Sequence, residues 1–358
     1  MRLDLIPRQT TPVWAVYGTP VLAIFLTVIA GAVLFAILGF DPLEALYGFF
    51  IDPISTEYGL TELGVKATPL ALIAVGLSIG FRAGVWNIGA EGQLTVGAIC
   101  AGGVALAFWG QEGWWTLPLM AIAGVLGGAA YASIPAFLRT RFHANEILVS
   151  LMMTYVAQLW LALLVQGPWR DPDGYNFPQS RMFGADALLP TLVEGSRLHL
   201  GALAALLVVA GATVLLNRAF IGYQVKVIGL APAAASFAGF SAKKIIWVCL
   251  LLSGGLAGLS GMIEVSGPIG QLMPSVSPGY GFTAIIVAFL GRLNPIGILF
   301  AALLLALSYL GGENVQVTMK LPLAAASVFQ GMLLFFLLGT DVLLRYRPRI
   351  SFAKGKAA

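Results

Sequence analysis

Charge is what this sequence has least of. Only 10% of its 358 residues are Asp, Glu, Lys or Arg, against about 25% in an ordinary soluble domain, and that shortage excludes a water-soluble globule. Histidine and cysteine are also scarce, two of each: His143, His199, Cys100 and Cys249. Both cysteines lie inside apolar runs, so they form neither a disulfide framework nor zinc-ligand spacing and read as small core side chains. The histidines sit at the ends of apolar runs, where an interfacial role suffices. No H-E-x-x-H occurs, no Ser/His/Asp arrangement can be assembled, and no G-x-x-x-x-G-K-[ST] phosphate loop is present. The chain is therefore read as no enzyme by itself, with no metal, no cofactor and no route of its own to ATP. The net charge of +4 calls for no nucleic-acid partner, because the positions of the charges account for it.

What is abundant is apolar and small: 59% hydrophobic residues and 43 glycines. Successive apolar runs of roughly 20 residues match the ~30 Å hydrocarbon core at 1.5 Å per helical residue. A β-barrel would show short segments of alternating polarity instead, and glycine suits helices that approach closely in lipid. The expected fold is all-α, a polytopic transmembrane helical bundle in the lipid bilayer. The first run, after Pro20, is too long for a signal-peptide core and reads as an uncleaved span. Ten spans are expected, near 19–40, 67–81, 93–109, 115–138, 146–166, 198–216, 244–266, 279–291, 296–312 and 324–344.

Orientation follows from the cations. With the N-terminus inside, the segments that include Arg82, Arg139, Arg141, Arg218, Lys226, Lys243, Lys244, Arg292 and the ends with Arg2, Arg8, Lys354 and Lys356 face inward. Only Lys66, Arg170, Arg181, Arg197 and Lys320 face outward. That bias puts both termini in the cytoplasm. The whole chain, 1–358, reads as a single transmembrane domain, with a tail over 1–18, a membrane part over 19–344 and a basic tail over 345–358. Residues 41–66 form an acidic outward connection, 167–197 a long outward loop, and 217–244 the longest inward loop.

The stretch FRAGVWNIGAEGQ (81–93) interrupts this greasy pattern with Arg82, Asn87, Glu91, Gln93 and three glycines. Flanking spans of roughly 21 and 24 Å fall short of the hydrocarbon core, so the turn at 82–92 is expected to sink into its cytoplasmic third. Backbone outside a helix is tolerated there when buried in protein or lining a watery cavity. A charge at that depth needs a partner or water, so Arg82 is expected to pair with Glu91 or with Glu146. A second break at 292–295, within FLGRLNPIG (289–297), echoes the first. Asn87, Glu91, Gln93 and Asn294 are candidate lining of a transport path; for the first three, a structural knot between half-helices is the competing reading.

The inward loop contains GLAPAAASFAGFSAKK (229–244). Pro232 suits the first turn of a helix, its alanines favour helix and leave a slim surface, and Gly239 suits the C′ position. Gly229 and Gly239 thus bracket about two turns, a short cytoplasmic helix fit to dock into a groove on a partner. Lipid-surface helices carry bulky apolar and basic residues instead.

From Gly222 to Lys244 the chain resembles the coupling-helix loop of ABC importer permeases of the ribose and branched-chain amino-acid type. Gly222, Val225, Lys226, Gly229, Pro232, Ala234, Ala235, Ala238, Gly239 and Phe240 match the pattern; Ala231 departs where Asn is usual and forgoes a side-chain cap. Phe81 to Gln93, with ANEILVSLMMTY (144–155) and GPWRDPDGYNFPQS (167–180), is similar to the nucleoside branch. The resemblance covers roughly 65–345. It implies a permease subunit in the cytoplasmic (inner) membrane carrying nucleosides, with simple sugars the alternative. It also implies three partners: a cytoplasmic ABC ATPase docking at Gly229, Pro232, Ala234, Ala235, Ala238 and Gly239, an extracytoplasmic substrate-binding protein, and a second, related permease subunit. A self-sufficient secondary transporter would want acids buried mid-span, and these are nearly absent.

Overall fold

The computed structural model describes residues 2–7, 13–111 and 113–351; Arg8, Lys354 and Lys356, counted above with the inward charge, lie outside them. Thirteen helices make up most of the described chain: α1 (Val13–Ile37), α2 (Pro42–Phe50), α3 (Glu57–Arg82), α4 (Ala90–Ala107), α5 (Thr116–Phe142), α6 (Glu146–Gln166), α7 (Gly201–Arg218), α8 (Phe220–Leu230), α9 (Pro232–Phe237), α10 (Ala242–Glu264), α11 (Tyr280–Leu290), α12 (Pro295–Thr318) and α13 (Leu323–Arg345). Each expected span falls on one helix; α2, α8 and α9 occupy the connections. Among the described residues, seven are long and apolar enough to cross a membrane: α3 to α7, α12, and α10 together with the π-helical turn that carries it to Ile269. The protein is a polytopic helical membrane protein. Among the described residues, the strands are β1 (Arg2–Pro7) and β2 (Tyr346–Ser351), whose antiparallel pairing lays the two tails side by side.

The chain packs as two compact units, residues 57–306 and residues 1–56 with 307–358, the division falling within α12. In the smaller unit, Phe35, Phe49 and Phe329 form the centre, with ring centroids 5.4 Å (Phe35–Phe329) and 4.3 Å (Phe49–Phe329) apart. Asn314 Nδ2 donates to Gly48 O (2.8 Å) and Asp52 Oδ2 (2.7 Å), tying α12 to the end of α2. In the larger unit, α10 is the axis and packs on α3, α4 and α5. Glycine permits that closeness. A Cβ on Gly97, Gly124 or Gly128 would collide with α10 at Met262, Gly254 or Gly258, and one on Gly261 would meet Leu94 of α4. In lipid, where apolar burial drives little association, such contact is the main source of helix–helix attraction.

One boundary differs from expectation with consequence. α3 starts at Glu57 rather than near residue 67, and its 26 residues reach about 39 Å. The polar first turns stay helical because Glu62 is paired: Arg197 Nε donates to Glu62 Oε1 (2.9 Å) and Nη2 to Oε2. Pro69 lies inside the helix without ending it. A short second span therefore cannot be the reason for a sunken turn, and the depth has to be measured another way.

Candidate functional site

The turn between α3 and α4 begins with a defined helix stop. Gly84 has φ +70, its N–H donates to Phe81 O (3.2 Å), and Val85 N–H donates to Gly80 O (2.9 Å). This is the Schellman arrangement, which needs a residue free to adopt left-handed backbone. Three residues on, Asn87 and Gln93 form a closed pair, both nearly inaccessible to solvent. Asn87 Nδ2 donates to Gln93 Oε1 (2.8 Å) and to Ser253 Oγ on α10 (3.0 Å). Asn87 Oδ1 accepts from Gln93 Nε2 (3.1 Å) and from Gly89 N–H (3.1 Å). Turn, α4 and α10 are thereby locked together.

α6 supplies the ruler for depth. Its 21 residues reach ~31 Å, one hydrocarbon thickness, and it starts at the charged end where Arg139 Nη1 meets Glu146 Oε1 at 2.6 Å. Ile88 N–H donates to Ser150 Oγ (3.2 Å). A Cβ on Gly89 would strike Ser150, and one on Gly92 would lie 2.7 Å from Thr154 Cα. Ser150 and Thr154 are four and eight residues along α6, so the turn lies roughly 6–12 Å from that end. The expected sunken position is supported by this contact, not by the helix length first used to argue it.

The second break repeats the first. Arg292 N–H donates to Phe289 O (2.9 Å) and Leu293 N–H to Ala288 O (2.8 Å), with Arg292 at φ +55. Aligning Phe81 with Phe289 sets Gly84 on Arg292 and Val85 on Leu293, so the sequence echo is one helix terminus used twice. The two breaks also touch. Phe81 stacks on Phe289 (centroids 5.1 Å), Trp86 stands beside both (5.0 and 5.8 Å), and Arg82 Nε donates to Leu293 O (2.9 Å).

The expected ion pair is replaced by other partners. Arg82 serves the Leu293 carbonyl, Glu146 takes Arg139, and Glu91 turns to α11, where Gly281 N–H donates to its Oε2 (2.6 Å). α4 and α11 meet so closely that a Cβ on Gly281 would collide with the Glu91 backbone. Glu91 thus caps the N-terminus of an 11-residue helix, where a carboxylate answers both free N–H groups and the helix dipole. Asn294 is exposed, and its Oδ1 accepts from Ile296 N–H (3.0 Å), capping α12. Beside Glu91 lies a cavity of about 250 Å³ lined by Thr95, Gln158, Leu161 and residues 274–277. Sequence reasoning missed Gln158, whose polarity at mid-helix in α6 was the available signal.

At the charged end, α8 and α9 follow α7. Pro232 occupies the first turn of α9, Ala231 caps it without a side-chain bond, and Gly239 at φ +81 ends it, with Phe240 N–H donating to Ala235 O (3.0 Å). Ala235 turns inward to a core with Val225, Ile228, Ala83 and Val85, while Pro232, Ala234 and Ala238 face solvent. Phe237, 95% exposed, and Leu230 crown the surface, an apolar pair the sequence reading passed over for the alanines. Gly229 lies inside α8 rather than bracketing α9: a Cβ there would collide with the Arg82 carbonyl. Its lack of a side chain brings α8 onto the first break.

Residues 59–338 match the family described as branched-chain amino acid transport system, permease component. The chain belongs to this family. It is 37% identical to a glucose ABC transporter permease protein of Haloferax volcanii, over 98% of this chain and 95% of that one. A guanosine ABC transporter permease protein of Bacillus subtilis is 29% identical over 88% and 91% of the two chains. A nucleoside ABC transporter permease protein of Lactococcus lactis is 26% identical over 95% of each. The protein is an ABC transporter permease, a transport subunit.

Proposed function

We propose that this permease works in an ATP-driven importer for a neutral, hydroxyl-rich cargo, a nucleoside in the first reading. One observation carries it: a membrane protein without a phosphate loop presents an exposed helix, α9, whose supporting helix α8 rests on a broken transmembrane segment. Energy from another chain, a cytoplasmic ABC ATPase, would enter at α9 and reach the breaks through Gly229. The named cargoes of the relatives supply the class. A simple sugar is the second reading, favoured by the 37% identical relative named for glucose. An extracytoplasmic binding protein delivers the cargo, and a second, related permease completes the pathway in the cytoplasmic membrane. Ten spans with both termini in the cytoplasm are supported by the side-by-side tails, since an even number of crossings returns the chain to its starting face. In this reading Asn87 and Gln93 brace the pathway wall, and Glu91 belongs to both wall and pathway.

Uptake into proteoliposomes with an ATPase whose phosphate-loop Lys is removed tests the energy source: it should stop, and unchanged uptake would refute the proposal. Calorimetric titration of the cognate binding protein with guanosine and with glucose decides between the cargo classes.

A further inference from the structure

We propose that the cavity beside Glu91 is a sugar-ring subsite in the permease itself, with Gln158 as its recognition group. This rests on the functional reading above and deepens it. Three observations converge. First, Gln158 stands near mid-length of α6, twelve residues, ~18 Å, from Glu146, while residues 274–277 line the cavity from a partly exposed loop. A transport protein places its cargo near mid-depth, at discontinuous helices, and α11 is such a helix.

Second, the lining is polar where the surroundings are not. Glu91, Thr95, Gln158, Ser275 and Ser277 face a volume of about 250 Å³, just under the ~300–1,000 Å³ of ordinary small-molecule pockets. It therefore suits one ring of a cargo rather than a whole nucleoside. Third, the polar groups divide into committed and free. Thr95 Oγ1 donates to Glu91 O (2.9 Å), Ser277 Oγ accepts from Gly279 and Tyr280 N–H (3.1 and 2.9 Å), and Ser275 Oγ donates to Ser277 O (3.2 Å). Gln158 has no hydrogen-bond partner among the described residues. Gln158 is exposed in this chain, so its amide, with two donors and an acceptor, stands open to a molecule entering the cavity.

A vicinal diol matches what is free. One hydroxyl donates to the Gln158 carbonyl while its neighbour accepts from the amide NH₂, and a remaining lone pair of Glu91 takes a hydroxyl proton. A charged cargo matches poorly: a carboxylate or phosphate would meet Glu91, and a cation would find no second carboxylate in the lining. The subsite thus takes the part that nucleosides and simple sugars share.

The test uses the complete importer in proteoliposomes, with guanosine, 2′-deoxyguanosine, glucose and 2-deoxyglucose as probes, and compares the wild type with Gln158→Leu and Ser275→Ala. The wild type should take up the hydroxylated member of one pair about three- to tenfold faster than its deoxy form. Gln158→Leu should lower uptake of that member and bring the ratio toward one, with the second permease still co-purifying. Because the binding protein is common to both importers, its own discrimination cancels. Ser275 Oγ, its proton committed to Ser277 O, keeps lone pairs that accept from a cargo hydroxyl, so Ser275→Ala, on an exposed loop where folding is insensitive, should narrow the ratio about twofold. An unchanged ratio in both variants overturns the subsite while leaving the importer reading intact. Loss of the second permease from Gln158→Leu also overturns it, assigning that amide to the subunit interface. Absence of ATP-dependent uptake of every probe by the wild type refutes the functional reading itself.

Discussion

Replacing Asn87 with Ala distinguishes a brace from a cargo contact. Asn87 takes part in four hydrogen bonds, to Gln93 twice, Ser253 and Gly89. Ser253 can turn its hydroxyl elsewhere, but Gly89 N–H and both ends of the Gln93 amide are orphaned in a site without solvent. Each orphan costs about 1–3 kcal/mol. Allowing Gln93 to regain one partner, Asn87→Ala should lose about 3–5 kcal/mol. Gln93→Leu is milder, about 1–2 kcal/mol, because Asn87 keeps Ser253 and Gly89. The double variant removes both members of the pair and leaves chiefly Gly89 N–H unsatisfied, so it should cost about 2–3 kcal/mol, less than Asn87→Ala alone. The coupling is therefore favourable by roughly 2–4 kcal/mol, well above the non-additivity of independent sites. Reversible denaturation of the purified protein in mixed micelles measures all three variants. Costs that simply add would refute the closed pair. Native stability in Asn87→Ala with abolished transport would show that the side chain serves the cargo instead.

Three further outcomes are expected. Gly229→Val should push α8 off the Arg82 carbonyl, cutting cargo-stimulated ATP hydrolysis by at least about tenfold; hydrolysis near wild type would mean that the α8 contact transmits nothing. The half-buried Arg139–Glu146 pair should cost about 1–2 kcal/mol when Glu146→Gln leaves the guanidinium only its long bond to Gly84 O (3.4 Å), and the swap Arg139→Glu with Glu146→Arg should recover part of it; no recovery in thermal melts would disprove pairing as the cause. His199 precedes α7, buried, with Nδ1 accepting from Gly201 N–H (3.1 Å), and burial, opposed by Glu62, pushes its pKa down to about 4. The unfolded chain then binds the proton more readily, near pH 6.5, so stability should fall as pH drops from about 6.5 to 4, by at most ~1.4 kcal/mol per unit. A His199→Asn variant with the same pH slope in denaturation would exclude His199 as its source.

Periodicity and hydropathy made the helices legible, and local capping chemistry made α9 legible almost to the residue. Pro232 and Gly239 act through their own backbones, so their neighbours matter little. Glu91, Arg82 and Glu146 were harder because a charge in lipid advertises only its need for a partner. Arg82 found a carbonyl and Glu91 found backbone N–H groups, and neither kind of partner has a side chain to betray it in the sequence. α3 was misjudged for the opposite reason: residues 41–66 were read as an acidic connection, but Arg197, distant in sequence, neutralises Glu62 within the helix. Gly229 was read as punctuation although its use is steric, and a missing Cβ says nothing about which backbone it admits.

The two breaks explain why so polar a segment can sit in a membrane. Each terminates its helix through the same backbone bonds, so Gly80 and Phe81 at one end, and Ala288 and Phe289 at the other, have their carbonyls satisfied without water. What one break leaves open the other region fills: Arg82 reaches Leu293 O, and Glu91 caps α11. Neither is stable at that depth alone, since each supplies the partner that the other lacks. A displacement at α8 therefore cannot move the first break by itself. Through Phe81, Phe289 and Arg82 it must carry the second, and with it α11, whose N-terminus borders the cavity holding Gln158. The polarity that made the segment conspicuous in the sequence is what joins the proposed energy-receiving surface at α9 to the proposed sugar-ring subsite.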